Sequence, residues 1–171
     1  MLEERLRGVL QNQLAVVGDA APDFELPALI AGVRRPFRLS ESLRHKKMIL
    51  AFYPSNWEPE SARQLASYQN ERTRLLANNA EIVGISVDSI MNTTAWERVI
   101  GPFDFALCSD FWPHGEVAKR YGVLEESGSY AGSCQRAIFM INRAGSVVFR
   151  KIYDSDLVAP VDELLDVLET G

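Results

Sequence analysis

The sequence predicts an α/β domain with a mixed central sheet flanked by helices. Short apolar runs that suit buried strands alternate with segments of helical periodicity, and the chain closes with a hairpin and a last helix. A length of 171 residues with 47% hydrophobic content is enough for one sizeable core. We therefore expect a single globular domain over residues 18–171.

The amino-terminal residues 1–17 are predicted to form a helix ahead of that domain. Its leucines recur every four residues and so form one apolar stripe, at positions 2, 6, 10 and 14. The stripe must be covered, either by its own domain or by a second subunit. We favour a contact between the two subunits of a homodimer.

The first part of the domain is predicted to lead into a buried strand. Residues 23–26 are typical of a short strand, and residues 36–39 of an extended segment. Ser40 and Glu41 begin a brief helical turn. Residues 48–53 are almost continuously apolar, which is typical of a strand covered on both faces.

The middle of the chain continues the alternation. Residues 61–78 have the periodicity of one long helix, and residues 81–87 form a second apolar strand. Thr93 or Thr94 opens a helix that Gly101 and Pro102 end. A short strand and a short helix follow at residues 105–108 and 116–121.

The carboxy-terminal part is predicted to be a hairpin followed by a helix. Two apolar segments, 137–141 and 147–153, flank a turn of Asn-Arg-Ala-Gly, and residues 161–168 form the last helix. The polar segment 125–132 contains two glycines and is predicted to be a mobile loop near the functional site.

The segment 50–65 joins a buried strand to a helix through Pro54, Ser55 and Asn56. Its pattern resembles the active-site segment of the peroxiredoxins, the alkyl hydroperoxide reductase and thiol-specific antioxidant family, which is proline, three residues, threonine, two residues, cysteine. Four other segments resemble that family in order and spacing, namely 18–27, 82–89, 116–123 and 136–142.

This resemblance implies a thioredoxin-like fold of the peroxiredoxin type. It also implies an antioxidant, thiol-dependent peroxide reductase, an oxidoreductase whose substrate is a peroxide and whose partner can be another redox protein. No cofactor is implied, because the family's chemistry is carried by protein thiols.

Two residues depart from the family pattern at the reactive positions. Pro54 matches the proline, but Glu58 stands at the threonine position and Ser61 at the position of the peroxidatic cysteine. A serine hydroxyl stays protonated near neutral pH without a partner base, and oxygen has no counterpart of the sulfenic acid state. An ionised glutamate accepts hydrogen bonds only, and its charge would repel a thiolate.

Arg136 matches the arginine that points at the reactive cysteine in the family. Because a buried guanidinium without an anion is costly, we expect Glu58 to pair with Arg136 and to fill the former peroxide pocket. A structural role is the alternative for Glu58. Acidic residues favour a first helical turn, and residues 55–58 have capping-box spacing.

The two cysteines remain candidates for redox chemistry. Cys134 lies two positions before Arg136, so the two side chains share a face if the strand has begun, and the guanidinium would favour a thiolate. The alternative is a small buried cysteine. Cys108 is expected in the core, and whether it pairs with Cys134 stays open.

Other classes of function find little support. His45 and His114 lack ligand spacing, so no metal site is expected. Ser61, His114 and Asp110 could be imagined as a hydrolytic triad, but no nucleophile elbow surrounds Ser61. The net charge of −5 and the absence of a large basic patch argue against nucleic acid. No apolar run suits a membrane span, and a cytoplasmic location is expected by default.

Three functions stay open at this stage. The protein is a pseudoenzyme that has lost the cysteine peroxidase reaction and has a binding or regulatory role in redox metabolism. Alternatively, it is an active thiol oxidoreductase or peroxidase that uses Cys134. The third alternative is an ordinary peroxide reductase whose cysteine was changed to Ser61 in the laboratory. The second departure, Glu58, would be unneeded for such a trap, which favours natural divergence.

Overall fold

The computed structural model describes residues 15–154 and 157–170. Numbered in chain order, its strands are β1 Glu25–Ile30, β2 Val33–Arg38, β3 Lys47–Phe52, β4 Ala80–Ser86, β5 Ala106–Ser109, β6 Ala137–Ile141 and β7 Val147–Ile152. Its helices are α1 Leu39–Ser42, α2 Pro59–Asn70, α3 Arg72–Ala77, α4 Ile90–Ile100, α5 Glu116–Arg120 and α6 Val161–Thr170. The predicted amino-terminal helix falls almost wholly outside the described residues, and residues 15–17 are not helical.

The seven strands form one mixed sheet in the order β2-β1-β5-β4-β3-β6-β7. β4 pairs in parallel with β3 and with β5, whereas the other neighbours are antiparallel. The carboxyl ends of β3, β4 and β5 therefore meet at one edge of the sheet, where α/β domains usually carry their sites. The predicted α/β class with a mixed sheet is confirmed.

The central strand β3 supplies two hydrophobic cores, one on each face of the sheet. Leu50 and Phe52 pack into one core, while Ile49 and Ala51 pack into the other. Successive side chains of a strand point to opposite faces, so a strand buried on both faces needs an unbroken apolar run. This arrangement explains the continuous apolar segment seen in the sequence.

Helices cover both faces of the sheet. Buried residues of α2, α3, α4 and α6 belong to one core, among them Leu65, Leu75, Trp96 and Leu164. The other core takes Leu39 of α1 and Val117 of α5. Within the described residues, no helix combines the length and the apolar character that a membrane span requires.

The predicted long helix over residues 61–78 is two helices. The chain leaves helical geometry at Glu71, where φ is −100° and ψ is 7°. Arg72 then begins α3 and binds Glu81 of β4, with Nη2 and Oε2 2.7 Å apart. Periodicity did not reveal the break because Tyr68 and Leu75 are buried in one core on either side of it.

Other predicted boundaries were wrong as well. The first strand continues to Ile30 and does not end at residue 26, and the extended segment predicted at 36–39 lies mostly in β2, which begins at Val33. The strand predicted at residues 23–26 begins at Glu25, because the carboxylate of Asp23 accepts from the backbone N–H groups of Phe24 and Ser40 ahead of the strand.

Helix α4 begins at Ile90, ahead of the threonines, because Ser89 caps it. The Ser89 hydroxyl accepts from the Asn92 N–H at 3.2 Å. Gly101 ends this helix as predicted.

Candidate functional site

The loop between β3 and α2 holds the candidate site at the carboxyl edge of the sheet. Trp57 has a φ of 67°, in the left-handed region that a bulky residue rarely adopts. Glu58 follows in an extended conformation, and Pro59 opens α2. The capping box predicted for residues 55–58 is not formed, because no side chain caps this helix.

Asn56 fixes this loop to the rest of the sheet edge. Its backbone N–H donates to Asp88, and its buried amide accepts from the Tyr53 hydroxyl at 2.9 Å. The same amide donates to Asn92 and Thr93 of α4, each at 3.0 Å. Every polar atom of the amide is therefore used, which holds the residues before Glu58 in place.

Arg136 lies just before β6, and its side chain is fully buried. Its Nη2 donates to both carboxylate oxygens of Glu58, at 3.1 and 3.0 Å. Its Nη1 donates to the Gln64 side-chain oxygen and lies 3.4 Å from the Ser61 Oγ. The predicted pair of Glu58 and Arg136 is therefore present, joined by charge-assisted hydrogen bonds from a single guanidinium nitrogen to both carboxylate oxygens.

Ser61 is buried on the first turn of α2, and its hydroxyl donates to the Glu58 carboxylate. A residue three positions earlier is close on a helical surface, which explains the contact. The hydroxyl thus lies between a carboxylate that accepts its hydrogen bond and a guanidinium that donates toward its oxygen. Ser61 is therefore hydrogen-bonded to the ion pair of Arg136 and Glu58, in which the Glu58 side chain is 28% exposed.

A cavity of about 370 Å³ opens beside this ion pair. Pro54, Glu58 and Arg136 are part of its lining, while Ser61 is not. The predicted loop supplies Glu125 and Tyr130. The remaining lining residues come from the strand ends, and they are Ser133, Cys134, Gln135, Ile152, Tyr153 and Asp154.

The environment of Cys134 differs from the one predicted. The residue precedes β6 and makes only an isolated bridge to Leu124, so it does not share a strand face with Arg136. Its thiol donates to the Tyr53 carbonyl at 2.9 Å. Burial raises the pKa of this thiol, and the carboxylate of Asp110 adds to the effect. The expectation that a guanidinium would favour the thiolate was wrong.

Cys108 is buried in β5, as predicted, and burial raises its pKa too. Both cysteines are free thiols in the same core. Low-pKa, accessible thiols are the reactive ones, so neither residue has the environment of a redox cysteine.

The hydrolytic triad considered for Ser61 is not formed. The buried Asp110 accepts from the backbone N–H groups of Val117 and Ala118 and so serves the start of α5, and burial raises its pKa. The imidazole of His114 contacts the Gly132 carbonyl. Across the described part of the chain, no group of three metal-ligating side chains occurs.

Sequence reasoning missed Gln64 and Asn92. Gln64 is fully buried, accepts from Arg136 and donates to the Tyr68 hydroxyl at 2.9 Å. Its position three residues after Ser61 was the available signal, because that spacing places it on the same helix face. Asn92 accepts from the Trp57 indole N–H as well as from Asn56, a contact between distant segments that no local pattern reveals.

Comparison with known proteins agrees with this architecture. A sequence model of the AhpC/TSA family matches residues 17–150. A putative peroxiredoxin of Synechocystis sp. is 31% identical over 159 residues, which cover 90% of this chain and 76% of that protein. A chloroplastic 2-Cys peroxiredoxin of Spinacia oleracea is 27% identical, over 92% of this chain and 60% of its own length.

Solved structures show the same fold. The reduced 2-Cys peroxiredoxin of Plasmodium vivax superposes with a TM-score of 0.82 at 24% identity, covering 90% of this chain and 80% of its own. The mitochondrial 2-Cys peroxiredoxin of Plasmodium falciparum has a TM-score of 0.81 at 25% identity and covers 91% and 93%. The fold is thus that of a thioredoxin-like α/β protein of the peroxiredoxin type. The chain belongs to the AhpC/TSA family, the peroxiredoxins.

Proposed function

We propose that this member of the family has lost the ordinary cysteine peroxidase reaction and acts through binding in redox metabolism. The observation that carries the proposal is the contact between Ser61, Glu58 and Arg136. By motif, Ser61 stands where the family has its peroxidatic cysteine. Its hydroxyl is buried and held by the carboxylate, outside the lining of the cavity.

The chemistry of the reaction supports the proposal. A peroxidatic thiolate attacks one peroxide oxygen, forms a sulfenic acid and releases water or an alcohol. A hydroxyl oxygen cannot take up the oxygen atom in this way. The guanidinium that could favour an anionic nucleophile is already paired with the Glu58 carboxylate, and Glu58 would destabilise any thiolate placed at position 61.

Peroxide consumption by the reduced protein tests the proposal. We expect the unchanged chain to consume hydrogen peroxide no faster than a Cys108→Ser/Cys134→Ser variant. Ser61→Cys should restore only slow turnover, and Glu58→Thr/Ser61→Cys should react faster. Each unit by which the second change lowers the thiol pKa increases the thiolate fraction about tenfold at a pH below that pKa.

Treating the same samples with a sulfenic-acid trap, followed by peptide mapping, distinguishes the loss of peroxidase chemistry from the alternative functions. Modification of Cys134 with turnover would overturn the proposal in favour of a thiol peroxidase based on that residue. Rapid peroxide turnover by the Cys108→Ser/Cys134→Ser variant would show that the site of Ser61, Glu58 and Arg136 is itself an active peroxidase, and would overturn the proposal. A natural coding sequence with cysteine at position 61 would make the protein an ordinary peroxide reductase.

The oligomeric state, the protein partner and the cellular location are predicted from the sequence alone. A homodimer, a redox protein partner and a cytoplasmic location remain predictions. Relatives are described as chloroplastic in some organisms, and that description applies to those proteins.

A further inference from the structure

The charge balance of the cavity beside Arg136 indicates which ligands it can bind. Glu58 neutralises the guanidinium of Arg136, the cavity's one basic group among the described lining residues. Glu125 and Asp154 also line the cavity, and neither joins an ion pair within the described chain. The described lining is therefore acidic, although it contains an arginine.

The Glu125 carboxylate is held in a fixed position. Its Oε1 accepts from the Gln135 side-chain amide at 2.9 Å. Both backbone groups of Glu125 are also hydrogen-bonded. Its N–H donates to the Ser133 carbonyl at 2.8 Å, and its carbonyl accepts from the Gly132 N–H at 2.7 Å. A carboxylate whose backbone and side chain are both held loses little freedom when it binds a ligand.

The rest of the lining suits an organic ligand. The volume of about 370 Å³ lies within the range of small-molecule sites, about 300–1,000 Å³. Ile152, Tyr153 and Tyr130 are the large apolar and aromatic residues of the lining, and Tyr130 comes from the loop. Carboxylates and aromatic rings both attract an alkylammonium group, so a lining that contains both suits such a ligand.

Resting on the proposed loss of peroxidase chemistry, we propose that this cavity binds a small organic cation, an amine with a short carbon chain. Glu125 and Asp154 bind the ammonium groups, and the apolar and aromatic residues of the lining pack against the methylenes. Arg136 takes no direct part, because Glu58 occupies its guanidinium. The same carboxylate that removes the site for an anionic nucleophile thus makes the cavity selective for positive charge.

Isothermal titration calorimetry of the intact chain with 1,4-diaminobutane tests this inference. The matched probes are 1,4-butanediol, which has the same length without charge, and succinate, which has the opposite charge. We expect saturable binding of the diamine alone, weakened by added salt. Glu125→Gln/Asp154→Asn should bind the diamine about tenfold more weakly, the effect of removing two partly exposed charge contacts.

Glu126→Gln is the control, because Glu126 lies outside the cavity lining and pairs with Lys119. It should leave the affinity for the diamine unchanged. Equal affinity for the diol, full affinity in the double variant, or no saturation by about 10 mM diamine would overturn the inference. Peroxide turnover is a separate measurement, so rapid turnover with normal diamine binding would overturn the proposed loss of activity and not the cation site.

Discussion

At the scale of single residues, Glu58 decides the character of the site. Its carboxylate binds the fully buried Arg136 side chain through both oxygens, and it also accepts from Ser61. Motif comparison was enough to predict this pair, because a buried guanidinium needs an anion wherever the family's cysteine is missing. The sequence did not predict that the Gln64 side-chain oxygen would also accept a hydrogen bond from this guanidinium.

Glu58→Ala should therefore lower the free energy of unfolding by about 2–4 kcal/mol, because it leaves a buried charge without its carboxylate. Urea unfolding measures the change. Sodium acetate should restore part of the loss by supplying a carboxylate to Arg136.

Glu60→Ala is the matched control two residues further along, since Glu60 pairs with Arg63 at the surface. It should change stability by less than about 1 kcal/mol. Equal losses in the two variants would show that Glu58 contributes no more than an ordinary surface acid.

Both thiols should be unreactive in the folded protein. Burial raises the pKa of Cys108 and of Cys134 above the ordinary 9.0, so at pH 8 each thiol is protonated, and both residues are buried. A colorimetric disulfide reagent should detect no thiol at pH 8 in buffer and two per chain in urea. A thiol that reacts in the folded protein at the rate of free cysteine would contradict this account.

The raised pKa values of the two thiols also predict how the stability of the protein changes with pH. A thiol that stays protonated to higher pH when folded stabilises the protein fully below the unfolded value of 9.0. Above that pH, thiolate formation favours the unfolded chain. Stability should therefore decrease as the pH rises past 9.0, and it should decrease less in a Cys108→Ser/Cys134→Ser variant.

At the scale of elements, the predictable parts were those fixed by a local signal. The apolar runs gave β3, β4 and β6 to within a residue, and Gly101 marked the end of α4. The break between α2 and α3 and the position of Cys134 outside β6 depend on contacts between distant segments, which periodicity does not report. The start of α4 was predictable, because Ser89 is a good capping residue.

Gly84 of β4 lies close to the side chain of Leu65 from α2. A Cβ atom there would meet Leu107 at 2.9 Å, and Leu65 and Tyr53 at 3.3 Å each. Gly84→Ala should therefore lower the free energy of unfolding by about 1–3 kcal/mol through overpacking. Val33→Ala, at an exposed position of β2, should change it by less than about 0.5 kcal/mol in the same urea titration. An unchanged midpoint for Gly84→Ala would mean that α2 can move away from β4.

At the scale of the whole molecule, composition and strand–helix alternation predicted the class, and the resemblance predicted the family. Periodicity alone does not separate this fold from other three-layer α/β domains. The strand order, with the antiparallel hairpin of β1 and β2 beside β5, depends on long-range pairing. The comparisons confirm the family and leave the activity to experiment.

The predicted homodimer contact is a property of the whole assembly. If the amino-terminal leucine stripe forms it, Leu10→Glu should shift the molar mass measured by light scattering from dimer toward monomer, because it places a charge in the apolar stripe. Asn12→Glu adds the same charge away from the stripe and should leave the mass unchanged. An unchanged dimer in Leu10→Glu would place the contact elsewhere.

The two-faced burial of β3 limits how the length of this chain can vary. A single inserted residue within β3 would shift every following side chain of the strand to the opposite core, since neighbours alternate between the faces. The loop around Gly128 has open space beside it and exposed residues on both sides, so it can accept inserted residues without reaching either core. Peptide tags or reporter domains belong at that loop, and deletions or insertions at the central strand would be expected to prevent folding.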